Sequence, residues 1–305
     1  MFAIRRMTPA DRPAMIDISS RIWEGRDYLP IVFDDWVADS KGAFLAVTLD
    51  GRLVGCAKLT FLTPTDVWFE GLRKDPRVKE PGLGQTVARH VLSDLAARRD
   101  LTSIRFSTGV RNLASITLNE RVGFRRILAL SYKTGPVPQA ARVGRARHAV
   151  SVLAEGRLVF PAVERSDWLQ KSRGLVVEGW KALPYQRELF QKRYVDTGSC
   201  RGVVSHGEVL GLAVSVAPRR GSSGREAGRI RLVSVEARDD EIADDLYEDI
   251  VGRTGGRHAA EAEWVIPPLD QPRRLCQGWG LSSREQEEDF LLYEFPLAEL
   301  ARFRS

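Results

Sequence analysis

Hydrophobic and polar residues alternate along the first half of the chain in short runs, and the period switches between two and about 3.6. Residues 3–6 read as a short strand. Thr8-Pro9-Ala10-Asp11 is a helix start, with Thr8 as N-cap and a proline in the first turn, where its missing N–H costs nothing. Met15, Ile18 and Ile22 then recur near the helical period. Residues 43–49 and 52–61 are β-rich runs joined by Asp50-Gly51, the strongest short hairpin signal. A further strand covers 66–73. Residues 83–99 form a helix with Val87, Val91, Leu92 and Leu95 on one face and Arg98-Arg99 in its last turn, where positive charge suits the dipole. A strand over 102–107, a short helix over 112–121 ended by Gly123, and a strand over 126–133 complete this half. The order β-α-β-β-β-α-β-α-β predicts an α/β (α+β) layout, a mixed central sheet flanked by helices.

The second half repeats this pattern in worn form. Residues 229–236 match the central strand, 241–252 the helix after it, and 259–266 the next strand. Gln277-Gly-Trp-Gly280-Leu281 parallels Arg121-Val-Gly123-Phe124, and 290–295 closes the pattern as a strand. Between the halves, residues 135–148 hold two prolines, two glycines and three arginines without an acid or a helical stripe. The expected division is a domain at 1–134, a linker at 135–150 and a second domain at 151–305. The halves are expected to pack together rather than tumble independently. Residues 218–228 read as a long hairpin loop.

At 305 residues, two domains are the natural expectation. Hydrophobic residues at 43% and charged residues at 28% are ordinary for a folded globular chain. No apolar run reaches the ~18–20 residues of a membrane span, and the N-terminus has no signal-peptide core. Cys56, Cys200 and Cys276 are too few and too scattered for a disulfide framework or a zinc site, which places the chain in the cytoplasm without a metal. The net charge of +6 favours acidic partners such as nucleic acid or a phosphorylated cofactor. The basic residues are spread along the chain, however. Arg142, Arg145 and Arg147 lack the interleaved aromatics of a nucleic-acid surface, so neither nucleic acid nor membrane is expected as a partner.

The chemistry is concentrated in residues 72–84, Leu-Arg-Lys-Asp-Pro-Arg-Val-Lys-Glu-Pro-Gly-Leu-Gly. A strand enters a loop with two glycines, and the loop opens a helix. Glycine lets backbone N–H groups approach a ligand closely, and a helix N-terminus adds unpaired donors and partial positive charge. Together these features suit a pyrophosphate. Gly82-x-Gly84 departs from the dinucleotide pattern, since a third glycine would fall on Val87, and the P-loop Gly-Lys-Ser/Thr is absent.

In order and spacing, these motifs resemble the GNAT acetyltransferase superfamily over about residues 1–134. The strand end Leu72-Arg73-Lys74-Asp75-Pro76 is similar to that family's L-x-V-x-P. The loop Lys79-Glu80-Pro81-Gly82-Leu83-Gly84 is similar to R/Q-x-x-G-x-G/A, and 112–124, ending in Val122-Gly123-Phe124, to N-x-x-A-x-x-L-Y-x-x-x-G-F. The resemblance implies a GNAT fold, duplicated with a degenerate second copy, and acetyl-CoA as cosubstrate. It implies that the backbone at Leu72, Arg73 and Lys74 pairs with the pantetheine arm, that Lys79, Glu80, Pro81, Gly82, Leu83 and Gly84 hold the pyrophosphate, and that Asn112 touches the cofactor. Lys79 keeps charge where Arg or Gln is usual but loses the bidentate fork. Glu80 brings an unhelpful charge, Pro81 removes a donor, and Asn119 stands where a Tyr often protonates the leaving thiolate. The strand Trp68-Phe-Glu-Gly-Leu-Arg73 with a non-binding second half looks similar to the histidine N-acetyltransferase-like branch. In the second half, Ala237-Arg-Asp-Asp-Glu241 has no glycine and three consecutive acids, which repel a pyrophosphate.

Glu70 alternates with Trp68 and Leu72, which places all three on one strand face. A carboxylate there needs a partner or a role. It is either half of an ion pair or a general base, with Asp66 in reserve. In this fold Tyr28, in Trp23-Glu-Gly-Arg-Asp-Tyr28-Leu-Pro30, belongs to a segment that tends to line the acceptor site. The expected activity is transfer of an acetyl group to a primary amine of a small molecule or amino acid by direct attack, in a monomer or homodimer. The alternative is a CoA-binding regulatory protein without turnover.

Overall fold

The computed structural model of the chain describes residues 1–137, 146–217, 228–254 and 261–304. The middle of the expected linker, with Arg142 and Arg145, and nearly all of the expected loop at 218–228 lie outside them. The chain divides into two compact units. The first holds residues 1–127 and 292–304; the second holds the described residues between 128 and 291. The division thus falls at 127/128 rather than over 135–150, and the last residues of the chain group with the first half. No short-range pattern reports such an assignment, because it depends on which sheet a strand joins.

The first unit runs β1 (Phe2–Arg6), α1 (Arg12–Ser19), α2 (Leu29–Ala38), β2 (Ala43–Leu49), β3 (Arg52–Phe61), β4 (Asp66–Lys74), α3 (Leu83–Ala96), β5 (Ser103–Gly109), α4 (Leu113–Val122) and the start of β6 (Arg125–Pro136). The strands order β1-β2-β3-β4-β5, antiparallel up to β4 and parallel between β4 and β5. Asp50 and Gly51 both sit at positive φ, the conformation a tight hairpin turn requires. Val87, Val91, Leu92 and Leu95 are all buried on α3, as the periodicity predicts. Met15, Ile18, Leu29, Phe33 and Phe44 form the core between the sheet and α1–α2.

The second unit adds β7 (Ser151–Val152), α5 (Gly156–Arg165), α6 (Asp167–Lys171), β8 (Leu175–Glu178), β9 (Lys181–Pro184), α7 (Arg187–Phe190), β10 (Cys200–Ser205), β11 (Glu208–Val216), β12 (Arg229–Ala237), α8 (Asp240–Thr254), β13 (Glu261–Ile266), α9 (Asp270–Gly278), β14 (Ser282–Ser283) and β15 (Phe290–Glu294). Its sheet orders β7-β10-β11-β12-β13, again antiparallel until the last pair, which is parallel. β13 is followed by β6, paired antiparallel over residues 131–136. The same strand order, the same switch to parallel pairing and the same helix crossover (α3, α8) establish the repeat of one layout. The end of β15 belongs to the first unit, where Glu294 binds Arg105 at 2.7 Å and the Phe295 N–H donates to the Ile104 carbonyl at 2.9 Å.

Candidate functional site

The register between β4 and β5 covers only Asp66, Val67 and Trp68 against Ser103, Ile104 and Arg105. The ladder between these two strands ends at Trp68, so residues 71–74 run on without β5 as a neighbour on that side. An extended ligand can add itself there as a strand does. Leu72, Arg73 and Lys74 lie on this edge, where the sequence places them.

The loop 75–82 leads on to the helix. Gly82 caps α3 at φ +93°, and a Cβ built there meets nothing within 4 Å. Its glycine is required by the backbone, and the space over it is open. Gly84 has a different reason: a Cβ there would lie 2.5 Å from Leu118 Cδ2, so it permits α3 and α4 to pack closely. The first N–H groups of α3 point out of the helix start without intrahelical partners. Lys74 Nζ donates to the Glu80 carbonyl at 2.8 Å, which fixes a charge on the loop. Lys79, Glu80 and Pro81 are exposed, and Leu83 is buried beneath them. A pyrophosphate fits this cradle through the open Gly82, the helix start and two lysines.

On α4, Asn112 is the N-cap: its Oδ1 accepts the Ser115 N–H at 3.2 Å. Asn119 is 2% exposed; its Nδ2 donates to the Ser115 carbonyl at 2.8 Å, and its Oδ1 has no partner among the described residues. The amide holds no ionisable proton, so the acid role of a Tyr cannot be taken up by Asn119.

On the other face of β4 the structure corrects one expectation. Lys58 pairs with Glu70 and Cys56 with Arg73, which leaves one extra residue in β4. Gly71, at φ +68°, makes this bulge. The alternation resets there, so Arg73 rather than Leu72 continues the face of Trp68 and Glu70. A Cβ on Gly71 would sit 2.6 Å from the Trp36 indole, so sterics as well as φ demand glycine. The buried Cys56 thiol donates to the Gly71 carbonyl at 3.3 Å, and burial raises its pKa to about 12, which makes it inert as a nucleophile.

This face gathers a cluster. Arg73 forks onto Asp27 at 3.2 and 3.0 Å, and the Asp27 carboxylate is fully buried and also takes the Ser19 hydroxyl at 2.9 Å. The Arg73 guanidinium stacks 4.4 Å from the Trp23 ring and 5.2 Å from the Tyr28 ring. Tyr28 meets Trp36 edge-on at 6.0 Å. Burial raises the Tyr28 pKa to about 12, an effect Arg73 opposes and Glu70 reinforces, so the phenol stays protonated at neutral pH. Glu70, half-buried, accepts the Thr60 hydroxyl at 2.6 Å. Asp66, the reserve base, is buried and taken up by the Ser103 hydroxyl at 2.6 Å and by Thr63. Lys58, 1% exposed, binds Asp39 and the Leu59 carbonyl.

Tyr28 and Glu70 therefore come together, with Arg73, while Asn119 and Asn112 belong to α4. Asp27, Trp36 and Thr60 were missed. The helical spacing of Leu29, Phe33, Trp36 and Val37 is the signal that could have revealed α2. Nothing in the sequence signals an ion pair between residues 46 positions apart.

The second unit keeps the bulge but not the cradle. Its central pair shifts register between Val214 and Ser215, opposite Val233. The connection from β12 to α8 is only Arg238 and Asp239, against residues 75–82 in the first unit. The Asp239 carboxylate accepts the Ile242 N–H at 3.0 Å, so an acid already occupies the helix start where an anion would dock. Among the described residues no group of His, Cys, Asp and Glu is placed to hold a metal. None of their helices is long and apolar enough to cross a membrane.

Residues 12–124 match the model of the acetyltransferase (GNAT) family. No curated protein sequence matches the chain significantly. Among solved structures, a GCN5-related N-acetyltransferase from Sphaerobacter thermophilus is similar over 97% of this chain and 96% of its own, at 17% identity and TM-score 0.69. A tandem GNAT protein from the clavulanic acid biosynthesis pathway is similar over 97% and 99%, at 12% identity and TM-score 0.60. Both alignments span the two units, so the fold is the duplicated GNAT fold that the motifs imply.

Proposed function

We propose that the chain is an acetyl-CoA-dependent N-acetyltransferase for a primary amine of a small molecule or amino acid. The observation that carries this reading is the opening between β4 and β5. It runs from the Gly82 helix start to a strand whose opposite face presents Glu70. When bound, acetyl-CoA supplies an acetyl group activated as a thioester. The edge of residues 71–74 beyond the β4–β5 ladder orients an extended arm, and the start of α3 with Lys74 and Lys79 holds the diphosphate. An amine arriving as ammonium must lose a proton before its lone pair can react, and Glu70 accepts it, directly or through water. Arg73, held by Asp27, and the rings of Tyr28 and Trp36 shape the wall around the acceptor. A free amino acid such as histidine lies within this acceptor class. The reading includes one acetyl-CoA per chain, no nucleic-acid or membrane partner, a monomer or homodimer, and the cytoplasm.

Steady-state release of free CoA with a panel of amines tests turnover against a purely CoA-binding role. Glu70→Gln keeps shape and removes the base, so kcat should fall by ~10²–10⁴ with acetyl-CoA affinity nearly unchanged. A variant that keeps more than about a third of wild-type kcat at every pH would make Glu70 structural.

A further inference from the structure

The second unit contains a cavity of about 200 Å³ between α5, the start of α6, β11 and β12. At ~30 Å³ per water, that is room for about six or seven waters or one short organic molecule. Ala162, Val209 and Leu212 supply apolar wall; Ser234 and Glu236 supply polar groups. The polar groups do not saturate one another. Glu236 Oε1 accepts the Trp168 backbone N–H at 2.8 Å, and its second oxygen has no partner among the described residues. The Trp168 indole N–H is buried and has no partner among them. Ser234 is buried, with no hydrogen bond from its hydroxyl among the described residues.

We infer that this cavity is a binding site for a small alkylammonium-type cation, with the ammonium on Glu236 and a short apolar body against Ala162, Val209 and Leu212. The carboxylate decides the sign. A half-buried acid with a free oxygen is matched by a cationic donor, and the apolar walls leave room for only a few carbons. Around Glu236 the charged groups from the packed elements are Asp167 at the start of α6, which adds negative potential, and Arg165 at the end of α5, which is exposed on the rim. Burial first, then Asp167, raises the Glu236 pKa to about 6, opposed by the Trp168 N–H. A bound cation favours the ionised form, so affinity should strengthen as pH rises through that range. This site is separate from the acceptor face of the first unit and needs no acetyl donor.

The test uses the full chain, labelled with nitrogen-15 at tryptophan, and follows the Trp168 indole N–H resonance. n-Butylammonium is the probe, with 1-butanol and butyrate as neutral and anionic controls. The resonance should shift saturably with n-butylammonium at ~1–10 mM, about tenfold more weakly at pH 5 than at pH 7.5, and with neither control. Glu236→Gln should abolish the shift, and Ala162→Leu, which fills the cavity without touching the charge, should do the same. The Trp168 resonance reads this cavity, whereas the Glu70→Gln assay reads turnover in the first unit, so the two readings fail separately. An unmoved resonance, an equal shift in Glu236→Gln, or an equal response to 1-butanol overturns the proposal.

Discussion

Glu236→Gln also has a consequence for stability, and its sign is fixed by the structure. The carboxyl has an ordinary pKa of 4.5, and burial raises it to about 6 in the folded chain. The native state therefore binds more protons than the unfolded state between these values, and stability must fall as pH rises through them. Each pH unit of that gap is worth about 1.4 kcal/mol, so full ionisation costs the fold about 2 kcal/mol. Glutamine keeps a carbonyl oxygen for the Trp168 N–H, whose bond is 2.8 Å, and carries no charge. The variant should match the wild type near pH 4 and be more stable by about 2 kcal/mol at pH 7 and above. For a unit of this size that is roughly 4–8 °C in Tm. Urea denaturation of both proteins from pH 4 to 8 measures the difference, in which the other carboxylates cancel. Asp167→Asn should reduce the gap by removing the neighbouring charge. A difference that stays constant with pH, or a variant less stable at pH 7, would refute the assignment of Glu236 as a carboxylate held against desolvation.

Arg73→Gln should cost ~3–5 kcal/mol in denaturant stability, because it strands the fully buried Asp27 carboxylate, and adding Asp27→Asn should recover much of that loss. An Arg73→Gln protein as stable as wild type would show that Asp27 has another partner. Gly84→Ala gains ~1 kcal/mol of helix propensity but drives a Cβ to 2.5 Å from Leu118. It should lose ~1–3 kcal/mol to overpacking when Leu118 is present and become neutral or stabilising with Leu118→Ala. A double-mutant cycle with no coupling between the two positions would remove the packing reason for this glycine.

Much of the first unit and the stretch from β12 onward were legible in the sequence because they rest on local information, while α2 and the elements between residues 151 and 216 were not read. Periodicity marks α3, Asp50-Gly51 marks the hairpin, and Gly82 marks a helix start that needs positive φ. The features that escaped depend on contacts between distant residues. Asp27 becomes a site residue only because the bulge turns Arg73 toward it. Strict alternation placed Leu72 with Glu70, and one glycine overrides that rule.

The two central strands show how little separates the copy proposed to bind acetyl-CoA from the other. Both have the bulge and the parallel neighbour, so the sheet geometry that opens the strand edge is present twice. The difference lies in the connection from the strand to its helix. In the first unit the residues 75–82 end on a left-handed glycine with open space above it. In the second, two residues suffice, and Asp239 commits its carboxylate to the helix start. A carboxylate in that place satisfies the same unpaired N–H groups that a phosphate would, without any ligand. Lengthening the loop alone would therefore not restore an anion site, since Asp239, and Asp240 bound to Arg274, still put negative charge at the start of α8. The second unit keeps its fold because its sheet and core do not depend on that loop, and its remaining polar cavity lies on the α5–α6 side of the sheet, around Glu236.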